Sequence, residues 1–267
     1  MALICQFKYL NGHSGQITGV RRFFGGCGDW QKVGVLCVSG RLASVPASIY
    51  SFSVDGYKEG IWYYSDYDPR CTLLATDNLG VIGRDSARYY PLAGKWDLLT
   101  PPADSVCVAP MVDVIFGCLP QVPTEEMDLS VGDRIAHYYN PLIYPKSQLH
   151  SIGLGMNEAL LAQAREVLTP GGAVVLNLGG RPGLSRLVAM FQTNGYQPRM
   201  VHEEIIPQHR ETSLTSLVAL EAMGQSDFEF FVDAKGVIPI NARQAEDRRV
   251  NGSSVFHKIY VIEGILA

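Results

Sequence analysis

The chain has 267 residues, enough for one large α/β domain or for a domain with a modest appendage. Its net charge of -4 offers no basic field of the kind that nucleic-acid binding needs, and no apolar run approaches the roughly 20 residues that span a bilayer. With 47% hydrophobic and 18% charged residues the composition is that of a globular protein and favours small-molecule chemistry.

The first half of the chain predicts an irregular entry followed by buried strands. Residues 1–31 are rich in glycine and aromatic residues without a sustained period, so they predict an irregular segment that can serve as a lid. Strands are predicted over residues 33–38, 61–65 and 112–116. Between them, residues 41–50 predict a short helix interrupted by Pro46, and Pro69 is placed to open a helix over residues 70–79.

The second half predicts strands that alternate with helices. A helix over residues 156–168 ends at Thr169-Pro170-Gly171-Gly172, and a second helix begins at Leu184 and ends before Gly195. Strands are predicted over residues 173–178, with residues 196–206 and 216–222 as a closing pair. This alternation predicts a layered α/β sheet over residues 32–224, with helices on both faces. Residues 225–267, including a charged helical stretch at 242–250, predict a C-terminal extension packed on the same domain.

Polar residues follow the predicted strands. Asp66 comes after the second strand, where a carboxylate can accept both hydroxyl hydrogens of a ribose, although a helix cap or turn ahead of Pro69 explains it equally well. Asp97 stands in Trp96-Asp97-Leu98-Leu99, which ends a further predicted element ahead of Pro101 and Pro102, and it can accept from an adenine amino group or serve as a turn residue. The turn after the first strand holds Ser39 and only one glycine, Gly40, where a loop that cradles a nucleotide normally needs several.

The loop after the third strand is stiffened by proline and reads Gly117-Cys118-Leu119-Pro120-Gln121. Ligands of open parallel sheets bind outside the carboxyl ends of the strands, so this loop predicts a substrate-facing segment, while a plain strand exit with turn prolines remains the alternative. Cys118 can be a nucleophile, although packing is the commoner role for such a cysteine. The sequence shows no defensible Ser/His/Asp or Cys/His constellation.

The six cysteines are scattered, without a CxxC pair or a Cys/His cluster at metal-ligand spacing. Such cysteines are typical of small buried side chains in a reducing compartment, and residues 1–10 lack a signal-peptide pattern. We therefore expect a cytoplasmic protein without a metal, whose partner is a small-molecule substrate and neither nucleic acid nor membrane.

These features together resemble a class I S-adenosylmethionine-dependent methyltransferase, and more narrowly the methyltransferase domain of plant-type methionine S-methyltransferase. The matching segments are residues 66–69, 117–121, 153–155, 177–183 and 228–231. The resemblance implies a Rossmann-like, mostly parallel sheet with helices on both faces and a small C-terminal extension. It also implies S-adenosylmethionine as the cofactor.

The resemblance assigns roles to individual residues. It implies that Asp66 binds the ribose of the cofactor and Asp97 the adenine, with Phe24 over the cofactor. The other predicted cofactor-binding residues are Ser39, Gly40, Gly117 and Cys118, and the predicted substrate-binding residues are Phe23, Pro120 and Gln121. Apart from the resemblance, a sulfonium cofactor favours an aromatic face near the cation and a polar group that orients the nucleophile, and Tyr139 and Gln121 are the catalytic candidates for these roles. Core packing is an equally good explanation of Tyr139.

Three functions follow from this resemblance. The first is in-line transfer of the methyl group to a small amino-acid-like thioether or amine. The second is a cyclase reaction, in which the amine of the cofactor attacks its own γ-carbon to give azetidine-2-carboxylate and methylthioadenosine. The third is a non-catalytic subunit that binds S-adenosylmethionine. The single glycine in the first loop, where the family has three, motivates the second and the third.

Overall fold

A computed structural model of the chain describes residues 147–267 without a gap, preceded by residues 98–100, 111–119, 121 and 123. For residues 7–8, 14–15, 34–39, 61–65 and 88–91 it describes the backbone of strands. The strands are β1 Phe7–Lys8, β2 Ser14–Gly15, β3 Gly34–Ser39, β4 Ile61–Ser65, β5 Arg88–Pro91, β6 Val112–Cys118, β7 Leu168–Gly179, β8 Tyr196–Pro207, β9 Phe230–Phe231, β10 Pro239–Ile240 and β11 Phe256–Leu266. The helices of the described residues are α1 Gln148–Ser151, α2 Gly155–Ala164, α3 Leu184–Thr193, α4 Thr215–Ala222 and α5 Ala242–Val250.

The main sheet has nine strands, five of which run parallel in the order β5, β4, β3, β6, β7. The chain places β4 and β5 on one side of β3, and β6 and β7 on the other, so the order of the strands reverses between β3 and β6. In doubly wound sheets this reversal opens a crevice outside the carboxyl ends of the two central strands. The sheet therefore positions a ligand site where β3 and β6 end.

The far side of the sheet is antiparallel. β11 pairs with β7 on one side and with the long strand β8 on the other. β9 pairs with β11 through Phe231 and Phe256, and β10 completes a short hairpin with β9. Because β11 runs opposite to β7, this hairpin lies near the carboxyl end of β7.

The core of the described residues lies between the sheet and helices α2 and α3. Leu160 and Leu161 of α2 are fully buried against the sheet. Phe191 of α3 meets Tyr196 of β8 edge to face, with ring centroids 6.4 Å apart. The Tyr196 hydroxyl donates a 2.8 Å hydrogen bond to the Leu161 carbonyl, which ties β8 to α2.

The predicted Rossmann-like α/β fold is confirmed, and two of the predicted elements are wrong. Residues 216–222 are helix α4 and not a strand. Their short apolar run fits either structure, and the buried residues Leu214, Leu217 and Leu220 recur every three positions, which is helical spacing. The strand that closes the sheet is β11, which the sequence had placed only in the extension.

The second correction concerns the first helix of the second half. Helix α2 ends at Ala164, four residues before the predicted end, and β7 already begins at Leu168. Pro170 and the positive φ of Gly171 form an irregularity inside β7, where the pairing with β6 shifts between Val112 and Val114. The Pro-Gly stop is thus a bulge in the strand and not the end of the helix.

The predicted helices over residues 41–50 and 70–79 lie outside the described residues. The division of the chain after residues 31 and 224 remains a prediction. The structure adds that residues 225–267 supply β11 within the sheet, and that Phe228 and Phe230 join the main core.

Candidate functional site

Three polar residues stand side by side where the central parallel strands end. The backbone of Ser39 in β3 pairs with that of Cys118 in β6. The Asn177 side chain of β7 lies next to it, with Nδ2 3.8 Å from Cys118 Sγ. Asn177 Oδ1 is buried and has no hydrogen-bond partner. A buried acceptor of this kind at a strand end fits a ligand that carries hydrogen-bond donors.

Gly117 allows the end of β6 to lie close to the helix layer. A Cβ on this residue would lie 2.6 Å from Leu176 Cδ2 and 2.8 Å from Leu160 Cδ2. A larger residue would push α2 away from the sheet, so glycine at this position serves packing directly.

The Gln121 amide fastens the loop after β6 to the last residue of β7. The Gly179 N–H donates to Gln121 Oε1 at 2.6 Å, and Gln121 Nε2 donates to the Gly179 carbonyl at 3.1 Å. The paired contacts between β6 and β7 stop at Gly117 and Leu176, so the side chain continues the cross-strand hydrogen bonding beyond the strands. A Cβ on Gly179 would lie 2.7 Å from Gln121 Oε1, which explains the glycine.

Beyond Gly179 the chain makes a tight turn that carries Arg181. The Gly180 N–H donates to the Lys258 carbonyl of β11 at 2.7 Å, and the Gly183 N–H donates to the Gly180 carbonyl at 2.8 Å. The Glu229 N–H then donates to the Arg181 carbonyl at 2.8 Å. The C-terminal segment thus holds the turn at the carboxyl end of β7.

His257 is the most perturbed titratable group near this turn. The side chain is buried and its Nδ1 has no hydrogen-bond partner. Burial, and secondly the charge of Arg181, lower the pKa of His257 from its usual value of 6.5 to about 3. The imidazole is therefore neutral at neutral pH.

The pKa of His257 predicts a loss of stability in acid. The unfolded chain takes up a proton near pH 6.5 and the folded chain only near pH 3, so stability is complete above pH 6.5 and is lost as the pH falls between these values. The expected slope from this group is up to ~1.4 kcal/mol per pH unit. Urea unfolding across this range should show a steeper decline for the natural protein than for His257→Gln. Equal slopes for the two proteins contradict the assignment.

The structure describes only some of the predicted site residues. The backbone of Ser39 and the residues Gly117, Cys118 and Gln121 lie together at the ends of β3 and β6, and their roles remain predictions. The predicted site residues that lie outside the described residues are Phe23, Phe24, Gly40, Asp66, Asp97, Pro120 and Tyr139.

Sequence reasoning assigned no role to Asn177, Arg181 or His257. Asn177 and Arg181 both lie in residues 177–183, one of the segments that carry the resemblance. The position of Arg181 between glycines directly after a predicted strand is a pattern that could have indicated its role. His257 stands inside an apolar strand pattern and gives no such indication.

Among the described residues, no helix has the length and apolar character needed to span a bilayer. Within the same residues, no group of three or more histidine, cysteine, aspartate or glutamate side chains is placed to hold a metal ion.

Comparison with known proteins identifies relatives by sequence. The chain is 28% identical over 222 residues to methionine S-methyltransferase of Zea mays and 27% identical over 222 residues to that of Hordeum vulgare. In both cases the match covers 74% of this chain and 20% of the relative, so the chain spans about a fifth of the length of these relatives. No protein-family profile matches the chain.

The solved structures that the chain matches share little sequence with it. The YcgJ protein from Bacillus subtilis is 14% identical, with a TM-score of 0.47, over 88% of this chain and 92% of that chain. Precorrin-6y C5,15-methyltransferase from Geobacter metallireducens is 12% identical, with a TM-score of 0.41, over 88% of this chain and 81% of that chain.

The resemblance seen in the sequence is thus confirmed by independent comparison. The reversal of strand order between β3 and β6 and the antiparallel β11 between β7 and β8 are observed directly in the sheet. The chain therefore has a Rossmann-like α/β fold, and its sequence is similar to that of methionine S-methyltransferases.

Proposed function

We propose that the protein is an S-adenosylmethionine-dependent methyltransferase that acts on the thioether or amine of a small amino acid, with methionine as the first acceptor to test. The observation that carries this proposal is the rim at the switch point, where the ends of β3, β6 and β7 bring Ser39, Cys118 and Asn177 into one row. The similarity to methionine S-methyltransferases supports the same acceptor class.

The residues of the rim fit a small polar cofactor. The buried Asn177 Oδ1 has no hydrogen-bond partner and offers an acceptor to an ammonium or a hydroxyl group. S-adenosylmethionine supplies the methyl group, and its sulfur leaves as a neutral thioether when the methyl group is transferred. The protein therefore has to align the acceptor and does not need a strong base. Gln121 contributes by fixing the loop after β6 to the end of β7, which holds the β6 side of the crevice in place.

The remaining roles follow the sequence resemblance. In this proposal Asp66 binds the ribose, Asp97 the adenine, and Phe24 lies over the cofactor. Phe23 and Pro120 contact the acceptor. Tyr139 faces the cation, where a contact with an aromatic face contributes about 0.5–2 kcal/mol.

Cyclisation is the second candidate, favoured by the single glycine in the first loop. In this reaction the neutral amine of the cofactor attacks its own γ-carbon, and the bond from that carbon to sulfur breaks. Methylthioadenosine leaves, and the nitrogen releases a proton to give azetidine-2-carboxylate. A first loop that changes the position of the amino-acid tail is the feature this reaction requires.

One set of incubations separates the candidates. The purified protein is incubated with S-adenosylmethionine alone and then with methionine, and the products are separated by chromatography. Methyl transfer predicts S-adenosylhomocysteine and S-methylmethionine only when methionine is present. Methylthioadenosine and a cyclic amino acid without an acceptor indicate the cyclase. Cofactor binding without turnover on any acceptor indicates a non-catalytic subunit.

The cytoplasmic location also remains a prediction, to be tested by fractionation.

Asp66→Ala should weaken cofactor binding, because the ribose hydroxyls would lose their acceptor. We expect a loss of about 1–3 kcal/mol, or roughly 5- to 150-fold in Kd, measured by calorimetry with S-adenosylmethionine. Asp68→Ala, two residues further along the chain, is the matched control and should leave the Kd unchanged. Equal affinities of Asp66→Ala and the natural protein would remove Asp66 from the site.

A further inference from the structure

Arg181 lies at the carboxyl rim of the sheet, on the same side of β7 as the Gln121 amide. Its Nη2 is 3.7 Å from the point where Gly179 would carry a Cβ, and Gln121 Oε1 is 2.7 Å from the same point. Gly179 pairs with Ile259 of β11, so this point is on the face of the sheet to which Ile259 and His257 belong. The guanidinium therefore lies between the Gln121 loop and β11.

The backbone holds Arg181 in place before any ligand binds. The Gly180 N–H donates to the Lys258 carbonyl of β11, the Gly183 N–H donates to the Gly180 carbonyl across the turn, and the Arg181 carbonyl accepts from the Glu229 N–H. Arg186 also bridges this region, because its Nη1 donates to the Pro182 carbonyl at 2.9 Å and to the Asp227 carbonyl at 2.8 Å. A side chain on such a fixed turn binds a ligand at a low entropic cost.

The charges around Arg181 favour an anion. Among the described groups on this face, the buried His257 is close enough for the charge of Arg181 to lower its pKa, and the neutral imidazole has no hydrogen-bond partner at Nδ1. Glu203 is engaged on the opposite face, where it lies 2.8 Å from Lys258 Nζ. Glu204 shares the face of His257 and lies 3.7 Å from His202 Nε2.

The helix that follows the turn adds to this field. Helix α3 begins three residues after Arg181, with Gly183 as its N-cap. None of the described side chains caps this end, and its first turn contains no acidic residue. The positive end of the helix dipole and the guanidinium therefore act on the same region of the rim.

We propose that Arg181 binds the carboxylate of the amino-acid acceptor and selects acceptors that carry this group. The inference rests on the proposed methyl transfer and assigns its acceptor subsite. A guanidinium has five N–H donors in a planar fork that matches the two oxygens of a carboxylate, and it can serve other partners at the same time. Bound there, the acceptor extends from the end of β7 toward the end of β6, where the crevice lies.

Methionine and methioninol test this assignment, because methioninol keeps the thioether and the ammonium but lacks the carboxylate. For the natural protein we expect kcat/KM to be about 10- to 100-fold higher for methionine than for methioninol. Arg181→Gln should reduce this ratio at least tenfold, mainly by raising the KM for methionine, and Arg181→Lys should fall between the two because an ammonium cannot form the paired contact. Calorimetry with methionine, in the presence of S-adenosylhomocysteine, should show the same loss of affinity without turnover.

Arg243→Gln is the matched control, since Arg243 is exposed on α5 and the substitution removes the same charge. It should keep the natural ratio, and all variants should bind S-adenosylmethionine with unchanged Kd. An unchanged ratio in Arg181→Gln, or a loss of S-adenosylmethionine binding in that variant, overturns the inference while methyl transfer stands. Absence of methyl transfer by the natural protein to any amino acid overturns the proposed function itself, and the inference with it.

Discussion

Phe230→Ala should lower the free energy of unfolding by about 3–5 kcal/mol, the usual cost of deleting a fully buried phenylalanine. Phe230 is 0% exposed and belongs to the same buried cluster as the helix layer of the sheet. It also pairs with Ile240 in the β9–β10 hairpin. Removing its ring leaves a cavity at the point where the C-terminal segment joins the domain, and the surrounding strands can close this cavity only in part.

Urea unfolding, followed by circular dichroism and by fluorescence, measures this effect. Val237→Ala is the control, because Val237 is in the same segment but is 71% exposed, and it should change stability by less than about 0.5 kcal/mol. A single transition in the natural protein is expected, because β11 lies between β7 and β8 and cannot unfold alone. Two separate transitions, or a loss below 1 kcal/mol for Phe230→Ala, contradict this integration of residues 225–267.

The sequence could predict β3, β4 and β6 of the parallel half because these strands are short apolar runs with clear ends, whereas it did not predict β5 at Arg88–Pro91. Residues 61–65 were predicted with their observed bounds, and β3 and β6 within two residues of theirs. Buried parallel strands read as continuous hydrophobic runs, and this pattern is hard to mistake when turn residues bound it. The position of the ligand crevice followed from these strand ends.

Residues 216–222 show why the other half was harder. A run of seven mostly apolar residues fits a strand or a buried helix, and periodicity alone cannot decide between them. The choice depends on β11, which takes the position between β7 and β8 through pairings with residues about 50 to 90 positions earlier in the chain. A local sequence pattern carries no information about strand pairing between residues so far apart.

The sequence predicts which strand ends meet at the crevice, but not the contacts that the residues make there. The loop that ends in Gln121 was identified from its glycine and prolines, yet its bidentate bonds to Gly179 depend on where β7 ends in space. His257 could not be found, because its perturbation comes from burial and from Arg181, 76 positions away in the sequence. Contacts between residues so far apart in the sequence depend on the three-dimensional fold and cannot be read from one segment of the chain.

Gln121→Ala should lower kcat by about 10- to 100-fold, because a displacement of the order of 1 Å between aligned groups has an effect of this size. The substitution removes both hydrogen bonds to Gly179 and frees the loop after β6 from the end of β7. Gln121 is thus a positioning residue in this proposal, and it acts on the alignment of the bound molecules. The Kd for S-adenosylmethionine should change little. Single-turnover kinetics with saturating cofactor and methionine measure the effect on the chemical step.

Gln121→Glu provides a sharper test than alanine, because it keeps the length of the side chain. A carboxylate can still accept the Gly179 N–H, but its second oxygen would face the Gly179 carbonyl oxygen and repel it. This variant should therefore lose turnover although its shape is preserved, and acidification toward pH 5 should restore part of it by protonating the carboxyl group. Gln192→Ala, at an exposed position of α3, is the control and should keep full turnover. Alignment of the two strand ends cannot tolerate a repulsive contact between them. If Gln121→Glu is as active as the natural protein, the bonds to Gly179 therefore serve only the structure of the loop.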